Sequence, residues 1–521
     1  MKILFIYSTN NNITTYKRYS SSYKKPLDSY RDISAGISIL SAVLKEQGYK
    51  TDLAVLNRKT PLFFLDEIIE SFKPDIIAFS AVASEFDYIK SIGTHVRDTY
   101  PNIFRIIGGV HISIFPDESV LDIFNALCIG EGEYPLLELV QSIEKNIYPS
   151  GIKNIWIKTV DNKIEKNPCR DFIEDIDSLP IMDREIWAKW INPKHKKSAF
   201  ILLGRGCPFN CTYCSNHALR RISNGNYVRL RSPESIIKEL KELNTMHPRF
   251  KDIYFEIETF GADLSWSLDL CKELQKYNNG LNLVFSVNLR ATPALKDKAE
   301  FLFSEMHKAG FVYINIGIES GSPKLRENIL KRNHSNEDIC YFIKVAKKHH
   351  IDTHLNIIIG LPEETIEDYN MTVDFIRESH AASNGPGIFY PYPGTDLYDK
   401  CKEKNLLPFG IKTISERTEA IIDYPQFSKK QIQKAYIWFS YYCQEGLIAK
   451  ADLAKILFDV YLSIYGNNNS LKKLLIPYFF LCDILDPKRV LRPESNEKSI
   501  TGLFIWNYIK TWWKDTKLIP I

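Results

Sequence analysis

The run Gly204-Arg205-Gly206-Cys207-Pro208-Phe209-Asn210-Cys211-Thr212-Tyr213-Cys214-Ser215-Asn216 places three cysteines at i, i+4 and i+7 of one short loop. In this CxxxCxxC spacing, three thiolates can take three corners of a cubic iron–sulfur cluster, which ordinarily takes four cysteines. The corner without a cysteine leaves one iron open to a further ligand. A structural zinc site would pair CxxC with a second CxxC or with histidines, and the sequence holds no such second pair. The other seven cysteines (Cys128, Cys169, Cys271, Cys340, Cys401, Cys443 and Cys482) are scattered singly. They read as small packed residues rather than as a disulfide framework.

Downstream of this loop the chain reads as repeating strand–helix units. Ala199–Gly206 is a strand running into the cysteines, and SPESIIKELKEL is a helix with a Ser-Pro start. Four later strands each carry a polar face at every second residue. These faces hold Tyr254, Glu256 and Glu258; Ser286, Asn288 and Arg290; Asn315, Gly317 and Glu319; and His354, Asn356, Ile358 and Gly360. A half-exposed antiparallel sheet would alternate in the same way. The intervening helical stretches, KAEFLFSEMHKAG and SNEDICYFIKVAKKHH, favour parallel crossovers instead. The polar faces then converge on a lumen. A fully packed barrel would place Val, Ile and Leu there.

Upstream, the first 150 residues also alternate strand and helix: Lys2–Tyr7, a helix closed by Gly48, TDLAVLN, LDEIIESF, PDIIAFSAV, FRIIGGVH, ALCIGEGEY and PLLELVQSI. This rhythm predicts a doubly wound parallel sheet, whose ligands lie beyond the carboxyl ends of the strands. Those ends carry Ser80, Gly108, Gly109, His111, Gly130, Glu131 and Gly132. Glycines there let a backbone approach a large flat ligand. Neither GxGxxG after the first strand nor GxxxxGK[ST] is present, which disfavours a dinucleotide and a phosphate-binding loop. A purely structural α/β domain is the alternative. Residues 151–199, turn-rich around Pro180, read as a linker.

GRGCPFNCTYC, YINIGIESGS with the later Lys331, and IIIGLPEET followed by PYPGTDLYD resemble the radical S-adenosylmethionine (SAM) barrels. The preceding GGVH and IGEGEY resemble the cobalamin-binding domain found before many of them. The resemblance implies a partial (β/α)6 barrel over residues 200–400, a flavodoxin-like cobalamin domain over 1–150 and a helical extension over 401–521. It implies a 4Fe-4S cluster on Cys207, Cys211 and Cys214, with SAM on the open iron. Glu256 or Glu258 would meet the SAM ammonium and Arg290 its carboxylate. Glu319, beside Ser320, would meet ribose hydroxyls or Arg290 itself. Tyr213 would approach the adenine, and Gly360 with Pro362 would shape a loop near the adenosine. Buried ion pairs that merely register the strands are the alternative for the charged members. Relatives commonly carry Asp-Asp-x-Phe where this chain has Glu258-Thr259-Phe260, which leaves the ammonium contact open. The methionine-synthase type of cobalamin domain supplies a histidine through DxHxxG after the first strand. Here STNNNITTYKRY stands in that place, so the resemblance implies cobalamin without a protein histidine below the metal.

The resemblance further implies methyl transfer to an unactivated carbon of a small-molecule or lipid-like substrate through a 5′-deoxyadenosyl radical. A flavodoxin- or ferredoxin-type donor would supply the electron. Radical cyclisation or oxidation without methyl transfer, and iron–sulfur sensing, are the competing readings. The 521 residues are 45% hydrophobic and 25% charged with a net charge of +4. This is an ordinary globular composition and does not suggest a nucleic-acid partner. MKILFIYSTN reads as a strand, and no apolar run reaches spanning length, so a cytoplasmic protein is expected. The tail TGLFIWNYIKTWWKDTKLIPI mixes aromatics with lysines. Such a composition caps a barrel or lies in a membrane interface.

Overall fold

The computed structural model describes residues 1–9, 27, 29–191, 198–247, 250–408 and 416–443. The aromatic tail, Cys482 and most of the loop after the first strand lie outside the described residues.

Apolar runs flanked by turn residues become strands β1 Lys2–Ser8, β2 Lys50–Leu56, β3 Ile76–Ser80, β4 Phe104–Gly108 and β5 Ala126–Cys128. Helices α1 Ala35–Glu46, α2 Leu62–Phe72, α3 Phe86–Thr99, α4 Val110–Ile114 and α5 Glu133–Glu144 separate or follow them. Ser34 caps α1 by accepting from the Ile37 amide, satisfying one of the free amides of its first turn. The sheet order is β2-β1-β3-β4-β5, all parallel. The order reverses between β1 and β3, where a doubly wound sheet opens its ligand crevice.

This sheet does not stop at residue 150. Strands β6 Ile155–Lys158 and β7 Ile164–Lys166 extend it antiparallel beyond β5. The stretch read as a linker therefore begins as sheet. The short period-2 segments Ile155–Lys158 and Ile164–Lys166 pair because Asn162, at φ 61°, turns the chain between them. The rest of the linker packs rather than dangles. Trp187 is fully buried and donates its indole N–H to Ser38 Oγ at 2.8 Å, and Trp190 donates to Leu53 O at 3.1 Å.

The second sheet is built from β8 Ser198–Leu202, then β11 Asp252–Phe260, β12 Val284–Leu289, β13 Phe311–Glu319, β14 Asp352–Ile359 and β15 Ser383–Ile388. Its six strands are parallel, in the order β15-β14-β13-β12-β11-β8. A small ribbon, β9 Gly204–Arg205 with β10 Arg229–Leu230, pairs antiparallel beside β8. The connecting helices are α6 Ser215–Leu219, α7 Pro233–Met246, α8 Leu264–Asn278, α9 Pro293–Lys296, α10 Ala299–Ala309, α11 Asn336–Lys348 and α12 Ile366–Ser379, with α13 Asp396–Glu403 and α14 Lys429–Cys443 following. Ser335/Asp338 and Thr365/Asp368 form reciprocal capping boxes on α11 and α12. The result is an open partial barrel. One apolar core runs from Ile3 and Phe5 through Trp187 into Phe255 and Phe285. A second core fills the other face of the first sheet around Ile6, Phe79 and Ile107. No helix among the described residues is long and apolar enough to cross a membrane.

Candidate active site

The cysteine loop is fixed at both ends. Leu203 donates to Glu256 O at 2.9 Å as β8 gives way to the ribbon. Gly206 then turns at φ +84°, and a Cβ there would stand 2.2 Å from Tyr227 O, so glycine alone fits. Inside the loop Cys214 N donates to Cys211 O at 3.1 Å. Thr212 Oγ1 reaches Ile329 O at 2.6 Å, and Leu397 N reaches Thr212 O at 3.0 Å. All three cysteines are free: Cys211 is buried, Cys207 and Cys214 half-buried. Burial pushes the Cys207 and Cys214 thiols up, Cys214 to about 12, with the charge of Glu258 adding to it. Arg290 donates to Cys211 Sγ at 3.2 Å while stacking over Phe209 at 3.8 Å. Among the described residues no group of His, Cys, Asp and Glu is gathered tightly enough for a single metal ion.

Above the loop the strand faces converge as their alternation predicts. Tyr254 donates to Asn288 Oδ1 at 2.7 Å and Asn315 to the same oxygen at 3.1 Å. This ladder crosses β11, β12 and β13 on the lumen side. Glu256 and Glu258 continue the β11 face and enter no ion pair among the described residues. Burial raises Glu256 to about 7, Glu258 adding and Arg31 opposing. Glu258 is open to the cavity yet walled by protein, and burial raises it too, against a hydrogen bond from Asn216.

A cavity of about 390 Å³ lies between the two sheets. On the first-domain side it is lined by Ser80, Gly108, Gly109, Gly130, Glu131 and Gly132, over a floor including Phe5, Ala78 and Ile106. On the barrel side it is lined by Gly206, Asn216, Tyr227, Glu256 and Glu258. Among the described residues no histidine lines it. A mostly apolar bed with glycines at the strand ends fits a corrin ring. The carboxylates opposite, which enter no ion pair among the described residues, fit a cationic ligand, and three thiols beside a guanidinium fit an anionic cluster.

Residues 201–376 match the family model "Radical SAM superfamily", and residues 32–140 match "B12 binding domain". The chain carries a radical SAM domain and a B12-binding domain. An uncharacterized methyltransferase of Pyrococcus horikoshii is 27% identical over 429 residues, covering 80% of this chain and 89% of that protein. The anaerobic magnesium-protoporphyrin IX monomethyl ester cyclase of Rubrivivax gelatinosus is 26% identical over 383 residues, covering 71% and 66%. In fold, the chain is similar to the cobalamin-dependent SAM radical enzyme OxsB, solved with aqua-cobalamin and SAM. The TM-score is 0.63 at 16% identity, over 99% of this chain and 80% of that one. The cofactors of this radical SAM enzyme are accordingly a 4Fe-4S cluster, SAM and cobalamin.

The structure sorts the site residues expected in this radical SAM chain. It gathers the cysteines, Glu256 and Glu258 at the barrel side of the cavity and the glycine loops opposite. Others stand elsewhere. His111 packs against Phe86 at 4.2 Å, off the cavity lining, and burial lowers it to about 4. Glu319, at the end of its strand with φ +63°, pairs with Arg332 at 3.2 Å rather than with Arg290. Arg332 also donates to Tyr213 Oη at 3.0 Å, so the phenol is tied into that pair. Ser320 is fully buried and accepts from Ser322 N. Gly360 turns at φ +80° against Ile432 of α14, and Glu364 accepts from Gly360 N at 2.5 Å and Leu361 N at 2.9 Å. Gly360 and the buried Pro362 thus shape a packing loop. Arg290 lies against the Cys211 thiol.

Sequence reasoning missed Arg332, Tyr227 and the charged knot behind the cavity. There Glu131 accepts from Arg205 at 2.7 Å and from Arg229 at 2.9 Å, while Arg205 also pairs with Glu133 at 2.6 Å. Burial works against ionisation of Glu131, yet the two guanidiniums outweigh it and hold the carboxyl below its ordinary value. Arg205 inside the GRGC run and the two glutamates of IGEGEY were the available signal.

Proposed function

We propose that this radical SAM enzyme transfers a methyl group to an unactivated carbon of a small-molecule or lipid-like substrate. The observation that carries the reading is a single cavity joining the glycine loops of the B12-binding domain to the carboxylates beside the cysteine loop. Cys207, Cys211 and Cys214 hold the cluster, and Glu256 or Glu258 receives the ammonium of SAM. Ser80, Gly108, Gly109, Gly130 and Gly132 bed the corrin. When bound, cluster and SAM supply a hydrogen-abstracting radical and cobalamin supplies a transferable methyl group. The chain positions the reactants between two rigid sheets and excludes water behind the Glu131–Arg205–Arg229 knot. A flavodoxin- or ferredoxin-type protein supplies the electron.

The test is protein reconstituted anaerobically with iron, sulfide and cobalamin, given reductant, SAM with a deuterated methyl group, and extract from cells lacking the gene. The expected result is 5′-deoxyadenosine together with an extract component that gains the deuterated methyl. A product differing by two hydrogens, without label, supports radical cyclisation or oxidation without methyl transfer instead. Cluster-loaded protein that never forms 5′-deoxyadenosine overturns both readings.

A further inference from the structure

Behind Cys211 the barrel buries more positive charge than it neutralises. Arg290, Arg326, Arg332 and His334 are each at least nine-tenths buried. Among the described residues the direct ion pair in this group is Glu319 with Arg332, while Glu337 and Asp338 act on Arg326, and Asp338 on His334, without contacting them. Arg326 spends its Nη1 on Ser320 O and Asn336 Oδ1, each at 2.6 Å. Among the described residues, Arg290 Nε, Arg326 Nε and Nη2, Arg332 Nε and both nitrogens of His334 have no hydrogen-bond partner. Burial and the three guanidiniums drive His334 down to about 2, so it stays neutral. Buried cations without matching anions are costly, so the fold anticipates negative charge at this spot. Two of the guanidiniums aim at one atom: Arg290 Nη1 lies 3.2 Å and Arg332 Nη1 3.8 Å from Cys211 Sγ. Among the described residues no guanidinium hydrogen-bonds the sulfur of Cys207 or Cys214.

We infer that Arg290 and Arg332 are positioning residues for the cluster, clamping its Cys211 corner and raising its reduction potential. The inference rests on the proposed assignment of the three cysteines. A cation beside a cluster thiolate favours the reduced, more negative form, and hydrogen bonds to cluster sulfurs act in the same direction. The clamp makes the Cys211 corner electrostatically distinct from the other two. It also eases entry of the electron that starts the reaction.

The experiment is an EPR-monitored redox titration of anaerobically reconstituted full-length protein without SAM, alongside iron and sulfide analysis. The variants are R290Q, R290K and R332Q, the last also combined with E319Q so that no buried carboxylate is left unpaired. Lower midpoint potentials in R290Q and in the R332Q/E319Q double variant are expected, with R290K staying near the parent. Loss of cluster from R290Q but not from R290K likewise supports a role for the charge. Full cluster content with unmoved potentials overturns the inference, as does cluster loss in R290Q and R290K alike. A parent protein that binds no four-iron cluster overturns the cysteine assignment itself, which iron analysis reveals before any titration.

Discussion

Glu256 sits two residues from Glu258 on the same strand face, and burial plus that like charge lifts it to about 7. A carboxylate with this value is ionised above about pH 7 and neutral below it, so its attraction for an ammonium group weakens as pH falls. SAM affinity of the reconstituted protein, measured by calorimetry, is expected to drop below about pH 7, and Glu256→Gln is expected to flatten that dependence. Glu364 titrates in the same direction for another reason. Burial lifts it from 4.5 to about 8, although the amides of Gly360 and Leu361 favour its charged form. A carboxyl raised on folding binds protons more readily in the native state. Its stabilising contribution is therefore full at pH values below 4.5 and is lost as pH rises toward about 8. Glu364→Gln keeps an acceptor for both amides and is expected to remove this part of the pH dependence from the melting temperature. Glu364→Ala leaves two buried amides unpaired, at roughly 1–3 kcal/mol each.

At the scale of elements, the loop between β5 and α5 and the β9/β10 ribbon form one mechanical piece. Glu131 holds Arg205 and Arg229 together, and Arg205 is two residues from the first cysteine. Glu131→Ala leaves a buried guanidinium without its anion and is expected to cost roughly 3–5 kcal/mol, read from the urea midpoint. Because the pair is buried, added salt is expected to change this loss little. These elements show what the sequence reveals and what it hides. Glycines at strand ends were legible because a doubly wound sheet puts its ligand there. The polar faces of β11 to β14 were legible because alternation has a fixed period. Strand β15, with the residues SNGPGI, was not: Gly and Pro argue against a strand, and only its place at the sheet edge tolerates Pro386. Gly385 is tolerated because His354 Nε2 would lie 2.8 Å from a Cβ there. The Glu319–Arg332 pair was hidden because Glu319 ends its strand at a positive φ, where strand periodicity no longer applies.

Across the whole molecule, the stretch read as a linker is the hub that joins the two sheets. Trp187 sits fully buried, with Tyr7 edge-on at 5.1 Å, its indole N–H on Ser38 of α1, and its neighbour Arg184 paired with Glu239 of α7 at 2.5 Å. The core around it is continuous from Ile3 to Phe285, so neither sheet can be stripped of this segment without opening the other. Domains joined by an exposed linker unfold separately, whereas domains sharing one core unfold together. Calorimetry of the full chain is therefore expected to show the B12-binding domain and the barrel melting in one transition. Trp187→Ala is expected to lower that transition by about 3–5 kcal/mol of stability, through lost burial and the cavity left behind. Two resolved transitions in the parent protein, or a Trp187→Ala variant in which only one half melts early, would show that the shared apolar core does not couple the halves.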